Sequence, residues 1–139
     1  MRVEILEWVQ AEPLAAPIRF AIFMGEKDAG GVELDERDKD CVHVIAFDDA
    51  GKAIGTARLM PDGQIGRMAV VKDWRRRGVG KALLEGLVDE AKKRGFAEVR
   101  LSAPVQALEF YRGHGFVADG KIQPVGGGLQ QPMKKPLGG

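Results

Sequence analysis

The chain is short of cysteine: Cys41 is the one it has in 139 residues. That excludes an intrachain disulfide, and the apolar run VHVIAF beside Cys41 makes the thiol read as buried and inert. Net charge is also nearly absent, with 21 Lys plus Arg against 20 Asp plus Glu. The chain is therefore expected to bind neither nucleic acid nor a membrane surface, and any anion site must be local. Long apolar runs are missing too. The start, MRVEILEWVQ, alternates polar and apolar residues, so neither a signal peptide nor a membrane span is expected. A soluble cytoplasmic protein fits these features. The two histidines, His43 and His114, and the one cysteine have no ligand spacing, which argues against a metal centre. His43 falls in a strand-like run and reads as readily as a core residue; His114 falls in a turn.

What remains is enough for one domain over residues 1–139, long enough to bury a core without cross-links. VEILEW reads as a first strand, and LAAPIRFAIFM as a short helix interrupted early by Pro17. The charged, Gly-rich GEKDAGGVELDERDKD reads as a surface loop bordering a site. VHVIAF and AIGTARL flank the turn cluster DDAGK and form a hairpin, with QIGRMAVV as a third strand after MPDG. From Val79, the residues Val79, Leu83, Leu87 and Ala91 recur every four positions, widened by Leu84 and Val88. This predicts an amphipathic helix ended by Gly95. AEVRLS follows as a strand and QALEFYRG as a short helix. FVADGKI and QPMKKPL close the chain as strands on either side of Gly126 to Gly128. The fold class is α/β or α+β, a mixed sheet flanked by helices.

The stretch DWRRRGVGKALL concentrates charge at a helix start. The first N–H groups of a helix have no intrahelical partner and carry about half a positive charge, which suits an anion. Glycine at 78 and 80 lets a phosphate approach the backbone, and Arg75, Arg76 and Arg77 add mobile positive charge. A P-loop is excluded because GKA lacks the hydroxyl residue, and a dinucleotide fingerprint because Leu83 stands where its third glycine would be. A solvated basic loop before an ordinary helix stays open on these residues alone.

Arg75, Gly78 and Gly80, preceded by IGRMAV and followed about thirty residues later by ALEFYRGHGF, resemble the GNAT superfamily of acetyl-CoA-dependent N-acetyltransferases. The acids Glu33, Asp35 and Asp38 before His43 further resemble its ElaA-like and YjcF-like branch. Lys27, Pro104 and Gln130 or Gln131 depart from that branch at positions tied to substrate recognition. The resemblance implies a GNAT-like, mostly antiparallel central sheet and direct transfer of acetyl from acetyl-CoA to a primary amine. The acceptor would be a small molecule, with a protein lysine as the other option, and the chain would pair as a homodimer through sheet edges. It also implies that Arg75, Arg76, Arg77, Gly78, Val79, Gly80 and Lys81 hold the pyrophosphate. The backbone of Met68, Ala69 and Val70 would face the pantetheine arm and acetyl group. Tyr111 matches the family's general acid; its alternative is an aromatic anchor beside Phe110. Glu33 is the candidate base or acceptor contact, since Glu33 to Asp40 carries five acids against Arg37 and Lys39 and could draw in an amine cation. The competing function is a non-catalytic acetyl-CoA-binding or regulatory module on the same fold.

Overall fold

The computed structural model describes residues 1–22 and 35–138. Strand β1 (Arg2–Leu6) leads into helix α1 (Trp8–Arg19), and a 3₁₀ turn at Glu36–Asp40 precedes β2 (Val42–Phe47), β3 (Ala53–Leu59) and β4 (Ile65–Val70). Helix α2 (Val79–Lys93), β5 (Glu98–Pro104), helix α3 (Leu108–Gly113), β6 (Val117–Ala118), β7 (Gln123–Val125) and β8 (Gly128–Pro136) complete the order. The strands form two antiparallel sections, β1-β2-β3-β4 and β5-β8-β6, with β7 on β8. This is the mixed α/β architecture expected, with helices on both faces.

Alternation sorts the first section. Val44 and Ala46 meet Leu83, Leu84, Leu87 and Val88 of α2 in the main core, while Ile45 and Phe47 meet Ala11 and Ala15 of α1. The two helices thus cover opposite faces. At Gly55 of β3 an added Cβ would lie 2.9 Å from Val79 Cγ1, so a glycine is what lets the start of α2 settle onto the sheet.

Three expectations change. Helix α1 begins at Trp8 and passes through both Pro13 and Pro17. Both prolines are exposed and four residues apart, so the carbonyls they leave without N–H partners face water, which tolerates them. FVADGKI yields only the two-residue β6, because β7 intervenes and forms a hairpin with β8 around Gly126 and Gly127, both at positive φ. Finally, the stretch from Asp35 to Asp40 is a 3₁₀ turn rather than an open loop: Glu36, Arg37, Lys39 and Asp40 are exposed, but Asp38 is fully buried, and a reciprocal capping box between Asp35 and Asp38 closes the turn.

Candidate active site

The two sheet sections touch where Gln64 and Arg100 form a lone parallel bridge, with the Arg100 N–H donating to Gly63 O at 2.9 Å. Past that bridge no strand among the described residues pairs with the far edge of β4. Strand β4 therefore presents main-chain groups to an open side from Gly66 to Val70. The pairing with β3 slips between Thr56 and Arg58, opposite Arg67, which sits at φ 52. Val71 N–H donates back to Ile54 O at 3.0 Å, so by alternation the Val70 N–H points away from β3, into the gap. Of Met68, Ala69 and Val70, Val70 thus turns its N–H to that side, while Ala69, opposite Thr56, turns its N–H and C=O toward β3.

The open edge leads to the start of α2. Arg75 Nε donates to Val70 O at 3.0 Å, tying the connection to β4, and Arg77 stacks on Trp74 at 5.1 Å. Gly78 is the N-cap at φ 86, with no side chain capping the helix. Around Gly78 and Gly80, among the described residues, no atom beyond their immediate neighbours along the chain lies within 4 Å of an added Cβ. The first N–H groups of α2 are therefore uncapped by side chains and uncovered, with Arg75, Arg76, Arg77 and Lys81 exposed around them and Val79 buried beneath. Those donors and cations fit a pyrophosphate, whose oxygens need several N–H groups at close range. Val79 to Lys81 are the donors that would hold it.

Tyr111 on α3 packs against the same core as Met68 and Val70, edge-on to Phe110 at 5.0 Å and to Phe116 at 5.8 Å. Burial alone raises its pKa above the usual phenol range. It stays protonated at neutral pH, as an acid must. Glu33 and Lys27 lie outside the described residues.

Two of the acids expected to draw in an amine, Asp35 and Asp38, are spent on arginines. Asp38 receives Arg19 Nη1 on both oxygens at 2.9 Å, Arg58 Nη1 at 2.9 Å and the Asp35 N–H at 3.0 Å. Asp35 receives Arg58 at 2.9 and 3.2 Å and Arg67 Nη2 at 3.3 Å. The Arg58 hydrogen bond, with its charge, pulls the Asp35 pKa down to about 2. Burial works to raise Asp38, but the Asp35 N–H and the two guanidinium groups outweigh it and hold that carboxyl below its ordinary range. Neither is basic enough to take a proton from an ammonium near neutral pH. His43 is no better placed: it is buried, stacked on Trp8 at 4.7 Å, with Nε2 2.8 Å from Asp38 O, and burial lowers its pKa. Among the described residues no cluster of three His, Cys, Asp or Glu side chains could hold a metal.

Sequence reasoning missed Arg19, Arg58 and Arg67. Their partners are 19 to 32 residues away, and only the position of Arg58 in an otherwise apolar strand hinted at a buried cation. The Gln residues at the departing positions are structural: Gln131 is buried and donates to Gly120 O and Pro132 O, and Gln130 accepts from Ser102 Oγ. A cavity of about 850 Å³ lies elsewhere, lined by Ile5, Leu6, Trp8, Cys41, Val42 and Arg94 among others. It sits by the C-terminal end of α2, a full helix length from Gly78, and shares no residue with the open edge of β4.

Residues 28–137 match the family described as an acetyltransferase (GNAT) domain. The uncharacterized N-acetyltransferase YjcF of Bacillus subtilis is 31% identical over 103 residues, covering 71% of this chain and 73% of that one. Two crystal structures share the fold. ElaA of Escherichia coli has a TM-score of 0.86 at 19% identity, covering 97% of this chain and 99% of that one. An acyl-CoA N-acyltransferase of Pseudomonas aeruginosa has a TM-score of 0.85 at 23% identity, covering 96% and 97%. An open β4 edge running into an uncapped, arginine-flanked glycine helix start, on this fold and in a sequence that matches over most of its length, means that the chain belongs to the GNAT acetyltransferase family and is an acyltransferase.

Proposed function

We propose that the protein moves an acetyl group from acetyl-CoA directly to a primary amine, with no acetyl-enzyme intermediate. The observation that carries this reading is the open edge of β4, where the Val70 N–H points into the gap, leading to the side-chain-uncapped N–H groups of Val79 to Lys81, which suits an elongated cofactor with an anionic end. Acetyl-CoA would supply the acetyl group there as a thioester. Of the Met68 to Val70 backbone, the Val70 N–H, which points into the gap, would donate to the carbonyl oxygen as charge builds on it, a role that needs no particular side chain. Cys41, the alternative nucleophile, is buried, its Sγ 3.1 Å from Arg37 O, and burial raises its pKa. It is unsuited to carrying an acyl group.

The amine must arrive neutral to attack. With a pKa like that of lysine, about 10.4, only about one part in a thousand is neutral near pH 7.4, a penalty of roughly 4 kcal/mol. Asp35, Asp38 and His43 cannot relieve it, so Glu33 is retained as our proposed base or acceptor contact. As the nitrogen–carbon bond forms and the carbon–sulfur bond breaks, Tyr111 would give its phenolic proton to the sulfur. That step is worth about 10²- to 10⁴-fold where general acids operate. No helix among the described residues is long and apolar enough to cross a membrane, and we place the activity in the cytoplasm. Thiol release measured across a panel of amines with acetyl-CoA saturating tests the reading. Amine-dependent release supports it; binding of acetyl-CoA with no release for any amine would leave a non-catalytic module.

A further inference from the structure

Strand β4 changes register in its middle. Ile65 pairs with Leu59 and Gly66 with Arg58, but further along β3 Thr56 meets Ala69 where an unbroken ladder would bring Met68. One extra residue has entered β4. It falls at Arg67 and Met68, and Arg67 takes φ 52, the left-handed conformation that a bulge of this kind usually gives to glycine.

The insertion decides what the strand offers to the gap. Ile65, Met68 and Val70 pack against the α2 core while Ala69 packs with Ile18 of α1, so the alternation skips one place at Arg67. In an unbroken ladder Val70 would stand opposite Ile54 and turn its N–H to β3. With the bulge, Val71 donates to Ile54 O at 3.0 Å instead, and the Val70 N–H is left for the gap.

A non-glycine residue at positive φ persists where its surroundings over-determine it. Arg67 Nη2 donates to Asp35 Oδ2 at 3.3 Å, and its Nε is enclosed within the protein. Asp35 is itself fixed from two sides. Its oxygens take hydrogen bonds from Arg58 of β3 at 2.9 and 3.2 Å, and Oδ1 also takes the Arg37 N–H at 2.9 Å as the cap of the 3₁₀ turn. Arg58 stands opposite Gly66, so the strand that faces the bulge anchors the carboxylate that ties it down.

Resting on the acetyl-transfer reading, we propose that Arg67 and Asp35 are positioning residues: their ion pair holds the bulge in β4, and the bulge aims the Val70 N–H at the thioester oxygen. Neither side chain touches a reacting atom. Asp35 acts on catalysis only through Arg67, from 32 residues earlier in the chain.

The test separates the ion pair from the backbone conformation. Arg67→Ala and Arg67→Gly lose the same contact with Asp35, but only glycine takes a left-handed φ without strain. Losing one donor to a developing oxyanion lowers kcat by about 10²- to 10³-fold, so a bulge that merely loosens in Arg67→Ala should lower it by about tenfold. Arg67→Gly should keep kcat close to the parent's, and the KM for acetyl-CoA should change less than kcat in both. Asp35→Asn should lower kcat in the parent and leave it unchanged in Arg67→Gly, the coupling expected when one residue acts through the other. Equal losses in the alanine and glycine variants, or the same cost of Asp35→Asn in both backgrounds, would overturn the inference. Hydrogen exchange at the Val71 amide reads the bulge without any acceptor: it should quicken in Arg67→Ala and match the parent in Arg67→Gly. If no amine supports thiol release, the acetyl-transfer reading fails and this exchange alone decides whether the pair holds the bulge, with unchanged exchange in both variants rejecting it. Should Asp35→Asn fail to fold, the comparison of alanine with glycine decides.

Discussion

Replacing Asp38 by Asn removes one negative charge from a site that excludes water. The side chain is fully buried and receives hydrogen bonds from Arg19 on both oxygens, from Arg58 and from the Asp35 N–H, all between 2.9 and 3.0 Å. The variant keeps the shape but leaves Arg19, fully buried, and Arg58, 6% exposed, without that shared counter-charge. Breaking a buried ion pair from one side costs about 3–5 kcal/mol because the remaining charge stays desolvated. Against a typical stability of about 5–15 kcal/mol this is a large fraction. For a chain of this size, about 3 °C per kcal/mol gives a drop in Tm of roughly 10–15 °C. Urea and thermal unfolding followed by circular dichroism would measure it, with Asp89→Asn on the exposed face of α2 as the control. A loss under about 1 kcal/mol, or one equal to the control, would refute the view that this network is a load shared by buried charges.

Three further outcomes follow from the geometry. Gly80→Val should retain stability, since Gly80 is helical with open space around it, yet should weaken acetyl-CoA binding far more than Lys93→Ala; calorimetry giving equal affinities would remove the phosphate role from this turn. Tyr111→Phe keeps the packing against Phe110 and Phe116, so acetyl-CoA affinity should hold while turnover falls by about 10²- to 10⁴-fold, and full activity with chemistry limiting would make Tyr111 an aromatic anchor only. The Asp35 carboxyl, depressed to about 2, stabilises the fold fully above its unfolded pKa near 3.9 and loses that contribution as pH falls through 2. Its share is at most about 2.6 kcal/mol before solvent screening, so acid titrations of parent and Asp35→Asn should converge between about pH 4 and 2, and parallel curves would contradict the pairing.

Local pattern made much of this molecule readable. The four-residue period of Val79 to Ala91 predicts α2, and Gly95, at φ 81, ends it as a left-handed residue does. The hairpin of β2 and β3 is visible in its turn chemistry, and the uncapped glycine start of α2 in Gly78 and Gly80. What was hidden depends on distance along the chain. The acids of the stretch from Asp35 to Asp40 look solvated because their arginines lie on α1, β3 and β4, and a count of charges is blind to pairing in space. Pro17 looks like a helix end until the exposed face that receives its orphaned carbonyl is known. The parting of β4 from β5, which opens the candidate site, is written in no residue type: it comes from two sheet sections meeting at one bridge.

The most direct measurement is of backbone amide shifts as coenzyme A is titrated into the protein. The account predicts that the changes concentrate on Met68 to Val70 and on Val79 to Lys81. Changes centred instead on Ile5, Leu6, Cys41, Val42 and Arg94, around the larger cavity at the other end of α2, would contradict it.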